Sequence, residues 1–333
     1  MNAVPAERVV VAGASGFMGR FLVDGWRAAG REVRTVGRGD HADARWGDTD
    51  GIRRLLDGSA LLVNLAGKSV NCRYGPENRA EILRSRVATT EELGHAVATA
   101  DAPPAVWINS STATIYRHAE DRPQTESTGE LGTGFSVSIA KAWEEAFFAA
   151  ETPHTRRVAI RTAIVLGDGS ALVPLLNLAR FGLGGPQWDT PWFSTRARRA
   201  AGTQHEFRAR WGRQRFSWIH LADVASALDF LERTPGLDGI VNLASPNPVT
   251  NVELMRTIRR AVGMPFGLPA PRPVLEAGAW MIRTETELLL KSRWVLPERL
   301  TNAGFEFRFA RVADAIDDIL AARRVRSRAP APR

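Results

Sequence analysis

The chain has 333 residues, 44% of them apolar, with a formal net charge of +8 and a single cysteine, Cys72. That length and apolar share suffice for a large buried core, so a disordered chain is excluded, and one cysteine closes no internal disulfide, which fits a reducing cytoplasm. The charge sits in two places: 184 to 216 holds seven Arg against Asp189 and Glu206, 323 to 333 holds five Arg and no acid, and these +5 and +5 leave the rest near −2, so a nucleic-acid partner is not expected.

The N-terminus MNAVPAERVVV runs straight into a strand pattern, without the basic-then-apolar build of a secretory leader. No apolar run approaches the roughly 18 residues of a membrane span, and no membrane partner is expected. The first strand, RVVVA (8 to 12), leads into GASGFMG and a helix from about 17 to 29. Gly13, Gly16 and Gly19 therefore stand at a strand-to-helix junction. Such a junction needs a tight turn and close backbone approach to a pyrophosphate, with helix amides left to receive its charge. The second strand (32 to 36) ends in GRGDH, where Arg38 comes before the first acid, Asp40. An acid there would hold a free ribose 2'-hydroxyl, and an Arg accommodates a 2'-phosphate, so NADP(H) is the cofactor expected. Asp48 is open to two readings, an adenine contact or the N-cap of the next helix.

Further strands read at 61 to 66, 105 to 110, 157 to 165 and 240 to 244, with helices near 77 to 99, 135 to 150, 171 to 181 and 222 to 233. Apolar strands without polar alternation, each followed by a helix, predict an α/β fold: a Rossmann-type, doubly wound parallel sheet covered on both faces. From about 246 the rhythm changes to a helix at 251 to 262, the Pro-rich GMPFGLPAPRP, and mostly helical sequence to 322. This predicts a dinucleotide-binding domain over 1 to 245 with an inserted flap at about 184 to 216. A smaller helical substrate lobe would follow over 246 to 322, and RRVRSRAPAPR (323 to 333) reads as a disordered basic tail.

These residues resemble the extended branch of the short-chain dehydrogenase/reductase superfamily: GASGFMG at the first turn, NLAG at 64 to 67 after the third strand, and SSTATIY at 110 to 116 after the fourth. NLAGKSVNCRY, Ser85 with Arg86, IRTAIVLG, GLGGP, FSWIHLAD and LLLKSRWVLPERLTNAGFEF narrow the resemblance to the YfcH-like "epimerase family" proteins, over residues 8 to 322. The resemblance implies an NADP(H) site formed by Gly13, Ser15, Gly16, Phe17, Met18, Gly19, Arg38, Asp48, Leu65, Ala66, Gly67, Arg86, Lys141 and Ile164. It also implies a homodimer formed through helices equivalent to 77 to 99 and 135 to 150. Segment 187 to 213 departs from the shorter family pattern, and its Trp188, Trp192 and Trp211 predict a folded flap over the cleft or a partner subunit.

In that branch a Ser or Thr, a Tyr about 25 residues on, and a Lys four residues later act together. Thr112 and Lys141 occupy the outer positions, but position 137 is Val. Val donates no proton, so another group acts or the reaction dispenses with one. Tyr116 and Tyr74, the two tyrosines of the chain, are the candidates for the cleft, with Val137 and Trp218 expected to line it. His220 reads as structural beside Asp223, an expected N-cap. No residue spacing suggests a metal. The sequence leaves three readings open: an NADP(H)-dependent oxidoreductase acting on a carbonyl or hydroxyl of a small, anionic or aromatic metabolite; an NADP-binding sensor or scaffold; and a redox-neutral isomerase or cyclase.

Overall fold

The computed structural model describes residues 8–169, 172–205, 207, 209–281 and 285–328. The valine- and leucine-rich runs form one seven-stranded sheet: β1 (Val9–Ala12), β2 (Val33–Gly37), β3 (Ala44–Arg45), β4 (Leu61–Asn64), β5 (Val106–Thr112), β6 (Arg156–Thr162) and β7 (Gly239–Leu243). Their spatial order is β7-β6-β5-β4-β1-β2-β3, and every pair is parallel. This is the doubly wound architecture expected.

Alternation along β1 shows why both faces must be covered. Val9 and Val11 pack with Leu22 and Trp26 of helix α1 (Phe17–Ala28) and with Val224 and Leu228 of helix Leu221–Arg233. Val10 and Ala12 face the other way. They meet Ile52 of α2 (Thr49–Leu56), Leu93 and Val97 of α3 (Pro76–Ala98), and Phe147 of α4 (Phe135–Ala149). Each strand thus buries side chains on both faces, which an alternating polar pattern would not permit.

The strand expected over 157 to 165 is two elements. β6 ends at Thr162, Ala163 N donates to Leu243 O, and Ile164–Leu166 leaves the sheet to pair with Trp218–His220. The C-terminal lobe is built on helices Asn251–Ala261 and Val312–Arg328, whose Leu254, Ile258, Ile316 and Ile319 share a core. A Thr250–Glu253 capping box starts the first of them. The expectation of a disordered tail is corrected in its first half: the last helix continues to Arg328, and Arg323 and Arg326 both pair with Asp168, at 2.8 and 3.0 Å. Residues 329 to 333 lie outside the described residues.

Candidate functional site

At the junction of β1 and α1 two of the three glycines, Gly13 and Gly19, are sterically required. Gly13 has φ +81, and a Cβ there would stand 2.7 Å from Leu65 C; one on Gly19 would stand 2.4 Å from Gly13 O. Gly16 caps α1 with no side-chain hydrogen bond, so the first-turn amides at Phe17 and Met18 are left for an anion. Ser15 and Gly16 are exposed beside them. The Phe17 ring lies against Gly167, where a Cβ would meet its Cζ at 2.8 Å, so the 167 to 169 loop backs the start of the helix.

Arg38, at the end of β2, is exposed. The acids around it are already engaged: Asp40 by Arg45, and Asp43 by Thr35 N and Oγ1, both at 2.8 Å. Asp48 takes the capping alternative, its Oδ1 accepting from Gly51 N at 2.9 Å.

Register places Asn64, the last residue of β4, beside Asn109 in the middle of β5. Asn64 Nδ2 donates to Asn109 Oδ1 (2.7 Å) and Thr90 Oγ1 (3.2 Å), while its Oδ1 accepts from Ala66 N (3.0 Å). This buried network fixes the Leu65–Gly67 turn against Gly13. Arg86 lies beside that turn: a Cβ on Gly67 would meet its guanidinium carbon at 3.1 Å. Its Nη1 donates to Ile82 O, its guanidinium lies 5.0 Å from the Trp143 ring, and burial pulls its pKa down to about 10.

Thr112 ends β5 half-exposed, its Oγ1 accepting from Thr114 N at 3.1 Å, and exposed Lys141 on α4 donates to Gly132 O at 3.2 Å. The substrate positions differ from expectation. Val137 is 1% exposed, sealed among Ala113, Tyr116, Ala140, Ala163 and Val295, and does not face a cleft. Tyr116 is equally buried, since its hydroxyl donates to Asn242 Oδ1 (2.8 Å) and its ring lies under Arg161 (4.9 Å). Burial pushes its phenol above the ordinary value, against the pull of Arg161. Trp218 is a core residue, its indole N–H held by Asn247 O. Ile164 pairs with it in the two-stranded ribbon. His220, rather than Asp223, caps helix Leu221–Arg233; buried Asp223 instead accepts from Arg308 N and Phe309 N.

Tyr74 is buried beneath the lobe instead of open to solvent. Its ring packs edge-on to Phe135, its amide donates to Glu285, and burial drives its phenol well above the ordinary value, against the pull of neighbouring Ser136. Lobe residues missed by the sequence reading meet it there. Ser136, next to Val137, donates to Glu287 (3.0 Å), the Lys291 ammonium donates to Thr114 O (2.7 Å), and Arg293 donates to Thr114 Oγ1 (3.0 Å). Burial pulls Lys291 down to about 8. A second missed group is Glu144, which holds Arg161 through two bonds of 2.8 and 2.7 Å and accepts from Ser111 at 2.6 Å. A charged residue inside the apolar strand RVAIRTAIV was the sequence signal for it.

The inserted segment is folded against the lobe. Gln187–Trp188 pairs with Ala270–Pro271, and Asp189, fully buried, bonds His205 (2.7 Å) and Arg272 (3.2 Å). Arg198 spans Glu276 and Glu285. Trp188 packs edge-on to Trp211 and Trp192 stacks on Phe193, though Trp211 keeps 65% of its surface exposed. Among the described residues no His, Cys, Asp and Glu group could hold a metal, and no helix is long and apolar enough to cross a membrane.

The model of the NAD dependent epimerase/dehydratase family matches residues 9–244. The chain belongs to that family. A second model, a domain of unknown function called DUF1731, matches 270–319, the part of the lobe that meets Tyr74 and Ser136. Epimerase-family relatives of similar length include the cattle (Bos taurus) epimerase family protein SDR39U1, 31% identical over 324 residues, covering 94% of this chain and 100% of the relative. The Mycobacterium bovis epimerase family protein Mb2239 is 31% identical over 315 residues, covering 92% and 96%. A crystal structure of human SDR39U1 with NADPH superposes with a TM-score of 0.78 at 28% identity, covering 94% of this chain and 99% of that one.

Proposed function

We propose that the protein is an NADP(H)-dependent oxidoreductase of the epimerase/dehydratase type, acting on a carbonyl or hydroxyl of a small organic metabolite. The observation that carries this is the cradle at the end of β1: glycines whose Cβ positions are already filled, an uncapped helix N-terminus, and exposed Arg38 where a ribose-binding acid would otherwise stand. Support comes from the human relative, which was crystallised with NADPH.

When bound, the nicotinamide supplies or accepts a hydride. The chain's own residues do the rest. The α1 amides hold the pyrophosphate, Arg38 pairs with the 2'-phosphate, and the Leu65–Gly67 turn, held by Asn64, supports the middle of the cofactor. Lys141 exchanges its Gly132 bond for the nicotinamide ribose, and Thr112 orients the reacting oxygen. Residue 137 takes no part in proton transfer. Tyr74, packed on Phe135, and Lys291, bonded to Thr114, are the proton-bearing groups that flank the start of α4 and the turn after Thr112.

The sealing of Val137 in an apolar cluster also favours a second reading, a protein that holds NADP without net redox turnover. Deuterium transfer separates the two. NADPH deuterated at the transferable position, incubated with the protein and a panel of small ketones, aldehydes and keto acids, should give deuterated alcohol by mass spectrometry. Tight NADPH binding with no transfer to any member would refute the oxidoreductase reading and leave the second.

A further inference from the structure

Two neighbouring loops carry large apolar side chains into solvent. Phe181, just past helix Leu172–Arg180, is 80% exposed, and Phe266 and Leu268 of the Pro-rich loop are each 60% exposed, with Leu178 and Leu183 close to half-exposed. The loops are locked to one another. Leu268 N donates to Gly182 O (2.8 Å), Arg259 donates to Gly184 O (2.7 Å), and Gly182, at φ +73, lies so close to the Phe266 ring that a Cβ would meet it at 2.6 Å. The aromatic tips therefore project from fixed backbone and do not fold inward.

Adjoining Arg180 is an open cavity of about 660 Å³, lined by Arg180, Arg260, Arg323 and Arg324 over an apolar floor that includes Leu320; among the described residues no acid lines it, although Arg323 is paired with Asp168 behind it. Exposed aromatics gain nothing in water, and a contiguous apolar patch rimmed by polar groups marks an interaction surface. Aromatic and aliphatic tips beside a cluster of arginines match the layered chemistry of an anionic bilayer, with phosphates at the level of the guanidiniums and acyl chains just below.

We propose that this face docks onto anionic phospholipid membranes, with Phe181 and Phe266 entering the headgroup layer and lipid phosphates occupying the arginine cavity. Charge complementarity selects this occupant. A second copy docked on the same face would bring arginines against arginines. The absence of a spanning segment in the sequence concerns insertion across a bilayer, whereas this contact lies on its surface. The inference goes beyond the cofactor reading and does not depend on it.

Full-length protein should cosediment with phosphatidylcholine vesicles containing about 30% phosphatidylglycerol and not with pure phosphatidylcholine, and rising salt should weaken the binding. Phe181→Ser with Phe266→Ser, and separately Arg180→Glu with Arg260→Glu, should each lower the vesicle affinity about tenfold or more. These exposed substitutions should leave NADPH affinity and unfolding temperature as in wild type. Equal partition onto both vesicles, no binding to either, or wild-type sedimentation of either double variant would overturn the proposal. So would a wild-type dimer in velocity sedimentation that the Phe pair dissolves, which assigns the patch to a second copy. Failure of the wild type to bind NADPH overturns the cofactor reading alone and leaves the vesicle result standing.

Discussion

Glu144 sits where α4, β5 and β6 meet, and removing it tests how that junction is held. Its carboxylate makes three hydrogen bonds, two with Arg161 and one with Ser111, and the paired side chains are 10% and 6% exposed. Glu144→Ala leaves a buried guanidinium with the Tyr116 ring, 4.9 Å away, as its main compensation. Breaking a buried pair from one side costs about 3–5 kcal/mol, a large share of the roughly 5–15 kcal/mol that holds a typical domain folded. Glu144→Gln keeps an acceptor for Ser111 and should lose about half as much. Glu144→Leu combined with Arg161→Met removes both charges and should recover most of the loss, because the desolvation cost of the pair disappears with it. Urea unfolding followed by circular dichroism, with linear extrapolation to water, measures all three. A loss below about 1 kcal/mol for Glu144→Ala, or a double variant no better than the single, would refute the reasoning.

Val137→Tyr forces a phenol into a closed cluster with Tyr116 and Ala163, so it should cost about 1–3 kcal/mol and create no fast ketone reduction; stable, robust turnover would contradict the sealed position. Lys291, lowered to about 8 from 10.5, binds its proton less tightly folded than unfolded, so stability should rise with pH between about 8 and 10.5, and Lys291→Met should remove that rise. Tyr74, shifted upward, acts with the opposite sign above pH 10, where the unfolded phenol ionises first; urea midpoints measured across this range in both proteins resolve the two. Asp189→Ala strips a buried carboxylate from Arg272 and His205 and should cost about 3 kcal/mol while leaving NADPH affinity unchanged, since it acts in the insert and lobe; a parallel loss of cofactor binding would contradict that separation.

The parallel sheet was legible because buried parallel strands leave an uninterrupted apolar signal, and the first glycine turn because its chemistry is local. β3 and α2 were missed as elements: a two-residue strand has no period, and α2 announced itself through its cap, Asp48, alone. The substrate side was legible in frame and not in packing. The spacing from Thr112 to Lys141 reads directly from the chain, but the burial of Tyr116 depends on Asn242 and Arg161, 126 and 45 residues away. Contacts from the lobe to Tyr74, Thr114 and Ser136 join segments more than 150 residues apart, which periodicity cannot reach. The tail misled because its composition is that of a solvated coil, whereas Asp168 gives two of its arginines a partner.

The central claim, a pocket built for NADP(H), is tested most directly by calorimetric titration of the wild type and Arg38→Asp with NADPH and NADH. A charge-assisted bond from Arg38 to the 2'-phosphate predicts NADPH binding about tenfold or more tighter than NADH in the wild type, with the preference lost or reversed in the variant. Equal affinities in the wild type, or an undiminished NADPH preference in Arg38→Asp, would contradict the account.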